Sequence, residues 1–190
     1  MKRGWGIALF CICFCALFLV CALWRGLTLR FYRLETDKLT EDARLRLVLL
    51  TDLHSAVYGE GHRELLDLVL DQRPDAILLG GDIVDDVAPL ENALSFFEAL
   101  SRTGIPAYYV SGNHDRWRPD FENVLEAIKG YGVTVLEGGV LPLDTPWGQI
   151  NLCGLREYRT AEECAAALAA AFPALSPDAY NVLIAHRPDY

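Results

Sequence analysis

The stretch that most constrains the fold runs from Ala76 to Asp86 and reads Ala-Ile-Leu-Leu-Gly-Gly-Asp-Ile-Val-Asp-Asp. A strand that is buried on both faces carries such an uninterrupted apolar run, and paired glycines let the backbone turn tightly beneath a ligand. We therefore predict a parallel strand that delivers Asp82 to its carboxyl end. An isolated Gly-Asp pair more often marks a turn or a helix cap, so this interpretation depends on the rest of the chain.

Three other apolar runs end in polar residues of the kinds that bind metals. The run 46–51 leads into Asp52-Leu-His54, and the run 107–110 leads into Ser-Gly-Asn113-His114-Asp115. A later run, 181–185, ends at His186. In open α/β sheets, sites assemble at the carboxyl ends of the strands. We therefore expect these side chains to gather with Asp82 in one site.

The pattern between these runs predicts an α/β fold. Apolar residues recur at helical spacing over 61–72, 89–102 and 121–131, so that strands and helices alternate as they do around a parallel sheet. From Val133 the apolar segments become short and are separated by glycine and proline, which indicates antiparallel strands or hairpins. A capping-box pattern at Thr160 predicts a helix over 161–172, and 181–185 is a final strand.

The N-terminal region predicts a membrane anchor. Trp5 to Trp24 is a run of twenty residues without a charge, about 30 Å long as a helix, and it follows Lys2 and Arg3. A cleaved signal peptide is the alternative, but the run is long for a signal core and offers no small-x-small cleavage site. We expect a single-pass anchor over 1–25, a strand and linker over 26–43 with the strand at 27–35, and a domain over 44–190. The basic N-terminus favours a domain outside the cytoplasm.

Charge and cysteine content narrow the classes of partner. The net charge is −9, and no basic surface that could bind nucleic acid is evident. An acidic protein of this kind is better suited to binding cations than to binding polyanions. Four of the six cysteines lie in the apolar run, and the other two, Cys153 and Cys164, are too few for a disulfide framework.

The residue types expected at this site favour particular metal ions. Carboxylates, imidazoles and one carboxamide form a ligand set suited to Mn²⁺, Fe or Zn²⁺. An aspartate at the middle strand end can bridge two such ions, which together orient a phosphate and activate a water. His114, beside a ligand but free of the metal, would be placed to protonate a leaving alkoxide.

The motifs Asp52-Leu-His54, Gly81-Asp82-Ile-Val-Asp85, Gly112-Asn113-His114-Asp115 and Ala185-His186 resemble, in this order, those of the calcineurin-like metallophosphoesterase superfamily. Within it the chain looks like the membrane-anchored bacterial phosphodiesterase branch. The resemblance covers 47–189. It implies a β-sandwich flanked by helices in α/β/β/α layers.

The resemblance also implies residue roles. Asp52 and His54 would bind one divalent ion, Asn113 and His186 would bind a second, and Asp82 would bridge both. His114 would be the catalytic histidine with Asp115 as its orienting partner, while Asp85 would hold the loop or the ligands indirectly. The substrate would be a phosphate monoester or diester, with the anchor favouring a phospholipid or its precursor. His62 matches no family role, and we interpret it as a surface residue at a helix start.

One departure from the family pattern leaves two hypotheses open. The family closes with a Gly-x-His-x-His segment, and residues 1–190 do not contain one. This implies an incomplete second sheet and one missing histidine at each metal. The first hypothesis is a membrane-anchored, binuclear-metal hydrolase of phosphate esters. The alternative is a truncated or degenerate member without catalytic activity.

Overall fold

The computed structural model describes residues 10, 12–15, 18–19, 26–172, 175–176 and 178–187. The chain divides into two compact units, Met1–Leu34 and Glu35–Tyr190. In the first unit, the described residues among 10–19 are helical and 26–34 have no regular structure. The strand predicted over 27–35 is therefore wrong. Alternation of apolar residues makes a strand only where a neighbouring strand pairs with it.

The predicted anchor over 1–25 lies largely outside the described residues. Among the residues that are described, no helix has the length and apolar character needed to cross a membrane.

The second unit begins with a parallel sheet of four strands in chain order. The strands are β1 (Leu47–Leu50), β2 (Ala76–Gly80), β3 (Ala107–Val110) and β4 (Thr134–Val135). A 3₁₀ turn (Glu60–His62) and helices α1 (Arg63–Asp71), α2 (Leu90–Ser101), α3 (Asn113–Trp117) and α4 (Phe121–Gly130) connect them. The parallel sheet with intervening helices is confirmed. The expectation of an antiparallel strand at 134–136 is wrong, because β4 extends this sheet in parallel.

The second sheet contains β5 (Gly139–Thr145), β6 (Gly148–Leu155) and β7 (Tyr180–Ala185), in that order. β5 and β6 form the predicted antiparallel hairpin. β7 pairs with β6 in parallel, and a parallel neighbour requires a crossover connection. Helix α5 (Ala161–Ala171) lies in that crossover, and the Thr160 hydroxyl caps it by accepting a hydrogen bond from the Glu163 N–H at 3.2 Å.

The core lies between the two sheets. One buried cluster combines residues of both: Ala76, Leu78, Tyr108, Val110, Leu136, Ile150, Leu152 and Ile184. Ile77 and Leu79 alternate with this set and occupy the opposite face of β2, where they are also buried. On that face the ring of Phe97 in α2 meets Tyr109 edge-on at 6.4 Å. β2 is thus buried on both sides, which explains its uninterrupted apolar run.

The segment 36–43, expected to be a linker, is attached to this unit. Leu39 packs against the core cluster, and the Thr40 N–H donates to the Trp147 carbonyl at 3.1 Å. The described part of this unit therefore extends a few residues before Arg44.

Candidate metal centre

Two loops at the carboxyl end of the first sheet hold their polar residues in an unusual backbone conformation. Asp52, His54 and Asp82 have φ values of 57°, 47° and 52°. Residues other than glycine seldom adopt this left-handed region, and it costs about 1–3 kcal/mol at each position. Hydrogen bonds between the loops maintain it: the Asp52 N–H donates to the Gly81 carbonyl at 3.1 Å, and the His54 N–H to the Asp82 carbonyl at 2.9 Å.

Two glycines allow the loops to approach closely. Gly81 has φ 91°, and a Cβ there would lie 2.7 Å from the His186 ring and from the Gly112 nitrogen. A Cβ on Gly112 would lie 2.3 Å from Asp82 Oδ1. Both positions therefore require glycine, because any side chain would collide with the polar groups of the site.

Asp82 lies at the centre of the cluster and is 3% exposed. Its Oδ2 is 3.3 Å from His186 Nε2 and 3.8 Å from His54 Nε2, and its Oδ1 accepts a hydrogen bond from the His114 N–H at 2.8 Å. Burial disfavours the charged carboxylate, but the hydrogen bonds from His186 and His114 outweigh it and lower the pKa of Asp82. The same contact with Asp82 raises the pKa of His186 to about 9.

His54 and His186 are oriented in the same way. His186 Nδ1 is 3.0 Å from the Gly80 carbonyl, which can only accept, so Nδ1 carries the proton. His54 Nδ1 is 3.2 Å from Asp85 Oδ2. Burial disfavours the charged Asp85 carboxylate, but backbone N–H donors and His54 together outweigh it and lower the pKa of Asp85. Each Nε2 therefore faces Asp82. A histidine that ligates a metal through one nitrogen commonly donates from the other to a protein oxygen.

The ligand atoms converge in overlapping groups. Asp52, Asp82 and His186 offer atoms within 4.8 Å of one another, and so do His54, Asp82 and His114. Asp82 belongs to both of these groups. The grouping places Asp52 with His186, and His54 Nε2 also lies 3.8 Å from Asp52 Oδ1, so the geometry allows Asp52 to share an ion with His54, as the family resemblance implies.

Asn113 opens α3 at the same strand end. Its Oδ1 accepts a hydrogen bond from the Arg187 guanidinium at 3.3 Å, and Arg187 follows His186 directly in sequence. The loop after β3 is thus joined to the loop after β7.

The structure corrects the role expected for Asp115. Its carboxylate is fully buried and accepts from the backbone N–H groups of Asp82, Val84 and Gly112, each at 2.7 Å. Burial raises the pKa of Asp115 to about 6 against the opposing effect of these donors. Asp115 therefore fixes the backbone of the candidate-site loops, and its carboxylate is not the hydrogen-bond partner of the His114 ring.

Asp86 supplies the carboxylate that hydrogen-bonds with the His114 imidazole. Its Oδ1 is 2.7 Å from His114 Nδ1, whereas Asp85 is 3.9 Å away. Burial disfavours protonated His114, but the Asp86 hydrogen bond and nearby carboxylates outweigh it and raise the pKa. Sequence reasoning missed Asp86, and the doubled Asp85-Asp86 was the available signal.

His62 also differs from expectation. It is 1% exposed, and its Nε2 lies 2.9 Å from the Ser95 hydroxyl and 3.2 Å from the Asn92 carbonyl. Burial lowers the pKa of His62. It is a core residue that joins the 3₁₀ turn to α2, and the prediction of a surface position is wrong.

Residues 45–190 match the calcineurin-like phosphoesterase family. An uncharacterized metallophosphoesterase of Helicobacter pylori strain J99 is 30% identical over 158 residues, which cover 80% of this chain and 40% of that protein. The phosphodiesterase YaeI of Escherichia coli strain K12 is 31% identical over 153 residues, covering 77% of this chain and 54% of YaeI. The chain thus spans about half the length of these curated relatives.

A solved structure supports the fold independently. The crystal structure of TT1561 from Thermus thermophilus superposes with a TM-score of 0.55 at 16% sequence identity. The superposition covers 74% of this chain and 67% of TT1561.

Proposed function

Because the chain belongs to the calcineurin-like phosphoesterase family, we propose that it hydrolyses phosphate esters with the aid of two divalent metal ions. The observation that carries the proposal is the shared orientation of His54 and His186. Each is held at Nδ1 by a protein oxygen and faces Asp82 through Nε2. The name of the Escherichia coli relative favours a phosphodiester among the possible substrates.

The residues present would give three protein ligands to each of two Mn²⁺, Fe or Zn²⁺ ions, one histidine fewer at each ion than the family pattern implies. Asp52 and His54 would hold one ion, Asn113 and His186 the other, and Asp82 would contact both. These carboxylate, imidazole and carboxamide donors match the preferences of such metals. When bound, two divalent ions supply positive charge that polarises the phosphate and lowers the pKa of water.

His114 would act on the leaving group. Asp86 fixes its Nδ1 at 2.7 Å, so the other ring nitrogen, Nε2, remains to hold a proton for the leaving oxygen. The raised pKa of His114 favours the protonated form that a general acid needs near neutral pH. Asp85 and Asp86 therefore have separate tasks, because Asp85 orients His54 and Asp86 orients His114.

The substrate and the location form a finer part of the proposal. The twenty-residue uncharged run would anchor the protein in a membrane through residues 1–25, with the domain outside the cytoplasm. An anchored hydrolase has ready access to a phospholipid or a phospholipid precursor. Retention in membranes after a carbonate wash supports the anchor, and release into the soluble fraction with a new N-terminus near residue 25 overturns it.

The test of activity uses the purified protein with bis(4-nitrophenyl) phosphate and Mn²⁺. We expect release of nitrophenolate that stops on addition of EDTA and is lost in Asp82→Asn. Asp67→Asn, an exposed position on α1, is the matched control and should retain activity. Hydrolysis that persists in Asp82→Asn, or none in the metal-loaded wild type, would contradict the proposal.

A further inference from the structure

A large aromatic side chain stands exposed beside the proposed general acid. Trp117 ends α3 and is 58% exposed. Its ring centroid lies 4.5 Å from that of His114, with the ring planes inclined at 57°. The two residues are three apart on one helical turn, so both side chains project from the same face.

The neighbours of Trp117 hold this helical turn in place. Arg116 pairs with Glu137 at 3.0 Å and lies over the Phe121 ring at 4.9 Å. Arg118 donates to the Asp85 carbonyl at 2.9 Å and pairs with Asp120 at 2.9 Å. Both guanidiniums are engaged in binding the protein itself, and the indole between them faces solvent at a fixed place beside His114.

Other exposed apolar side chains occur on the loops of the same sheet end. Val87 is 87% exposed and directly follows Asp86, the partner of His114. Val57 is 53% exposed and lies three residues after His54. A single exposed apolar residue is ordinary on a protein surface. Here, however, each of the three segments that follow β1, β2 and β3 contributes one within three residues, along the sequence, of His54, Asp86 or His114.

The position of Trp117 defines which part of a substrate it would meet. A general acid must come within hydrogen-bonding reach, about 2.6–3.2 Å, of the oxygen that it protonates. If His114 is that acid, the first carbon atoms of the leaving alcohol would lie next to its ring. The Trp117 indole, whose centroid is 4.5 Å from that of the His114 ring, would then be in reach of the leaving alcohol.

We infer that Trp117 determines specificity by receiving an apolar or aromatic leaving group, so that the preferred substrates are phosphate esters of alcohols with an apolar body. The inference rests on the proposed function, because it needs His114 on the leaving-group side. Val87 would extend the same apolar surface. Phosphate esters of small polar alcohols would gain nothing from contact with this surface and would therefore be the poorer substrates.

The experiment compares two symmetrical diesters, dibenzyl phosphate and dimethyl phosphate, with the Mn²⁺-loaded protein. Benzyl alcohol and methanol have nearly the same acidity, so the comparison isolates contact from chemical reactivity. We expect the wild type to prefer the dibenzyl ester. In Trp117→Ala, kcat/KM for the dibenzyl ester should fall by roughly two- to tenfold, the range expected for one aromatic contact, while the dimethyl ester is unaffected. Trp117→Phe should restore most of the loss.

A binding measurement gives a second readout. Benzylphosphonate should inhibit wild type more strongly than methylphosphonate does, and Trp117→Ala should remove the difference. Trp147→Phe, on the β5–β6 hairpin, is the control and should leave both inhibition constants unchanged.

The two proposals fail in different ways. If the wild type hydrolyses bis(4-nitrophenyl) phosphate but cleaves neither dialkyl diester, the proposed function stands and this inference is overturned; if it hydrolyses none of the three, both are overturned. If it cleaves both and Trp117→Ala lowers the two rates alike, the function stands, but Trp117 serves only to position His114. Equal inhibition by the two phosphonates in wild type would also overturn the inference.

Discussion

The Oδ2 atom of Asp82 lies 3.3 Å from the Nε2 atom of His186. Asp82 follows a strand of the first sheet, and His186 follows a strand of the second, so this contact joins the two sheets at the edge where the polar loops meet. Metal binding and the packing of the sandwich are therefore expected to depend on one another.

Replacement of Asp82 should affect both ions. Asp82 is the one proposed ligand that both ions share, so Asp82→Ala and Asp82→Asn should reduce the bound metal from two ions per chain towards none. Asn113→Ala and His186→Ala should each remove chiefly one ion. Metal analysis of the purified variants checks this, and an Asp82 variant that keeps two ions would refute the shared ligand.

His114→Ala should retain the metal and lose turnover. General acid catalysis is worth roughly 10² to 10⁴ in rate, so hydrolysis of an alkyl diester should fall by about that factor. A nitrophenyl diester needs less protonation and should suffer less. Paired assays on the two substrates decide the matter, since equal losses would indicate a role in phosphate binding.

Replacement of Asp86 should change the pH dependence of activity, whereas replacement of Asp115 should change the stability of the protein. Asp86→Asn removes a carboxylate that raises the pKa of His114. The activity should therefore begin to fall at a lower pH on the basic side than it does in the wild type. The pH profile of kcat/KM measures this, and a profile that matches the wild type would exclude Asp86 as the positioning residue.

Asp115→Asn should act on stability. An amide cannot accept from all three backbone N–H groups that Asp115 binds, and its own N–H₂ would face one of these donors. The free energy of unfolding should fall by about 3 kcal/mol, as measured by urea denaturation. A variant of unchanged stability would contradict the structural role.

The contrast between Asp86 and Asp115 shows how much of the site the sequence could predict. Apolar runs ending in Asp, Asn and His identified the parallel sheet and the edge where the site lies, because a buried strand requires an apolar run and its end determines which residue emerges. Which carboxylate reaches His114 depends on the path of the loop after β2. Asp86 lies only four residues after Asp82. The turn of this loop brings the Asp86 carboxylate to the His114 ring, while the Asp115 carboxylate lies beneath the backbone of the same loop.

The strand predicted over 27–35 and the run that forms β4 illustrate a different limit. Alternation over 27–35 resembles a strand, yet strand formation depends on a partner elsewhere in the chain. The short run at 134–136 gave no indication of which sheet it would join. Tertiary pairing decided both cases.

The Asp82–His186 contact should make the stability of the chelator-treated protein depend on pH. The pKa of His186 is raised from 6.5 to about 9, so its contribution is fully present below pH 6.5 and is lost as the pH rises through about 9. Asp82, whose pKa is lowered, contributes above its ordinary value of 3.8 and loses its contribution as the pH falls. Melting temperatures between pH 6 and 9 should decline in wild type more steeply than in Asp82→Asn. Parallel curves would contradict the coupling.

Hydrolysis by two ions around Asp82 can be tested by a stoichiometric titration of the metal-free protein. Mn²⁺ is added while binding is followed by calorimetry, and turnover of bis(4-nitrophenyl) phosphate is measured on the same samples. We expect activity to rise to a plateau as the second equivalent per chain is filled. A plateau at one equivalent, or two filled sites without turnover, would show that the two-ion proposal is wrong.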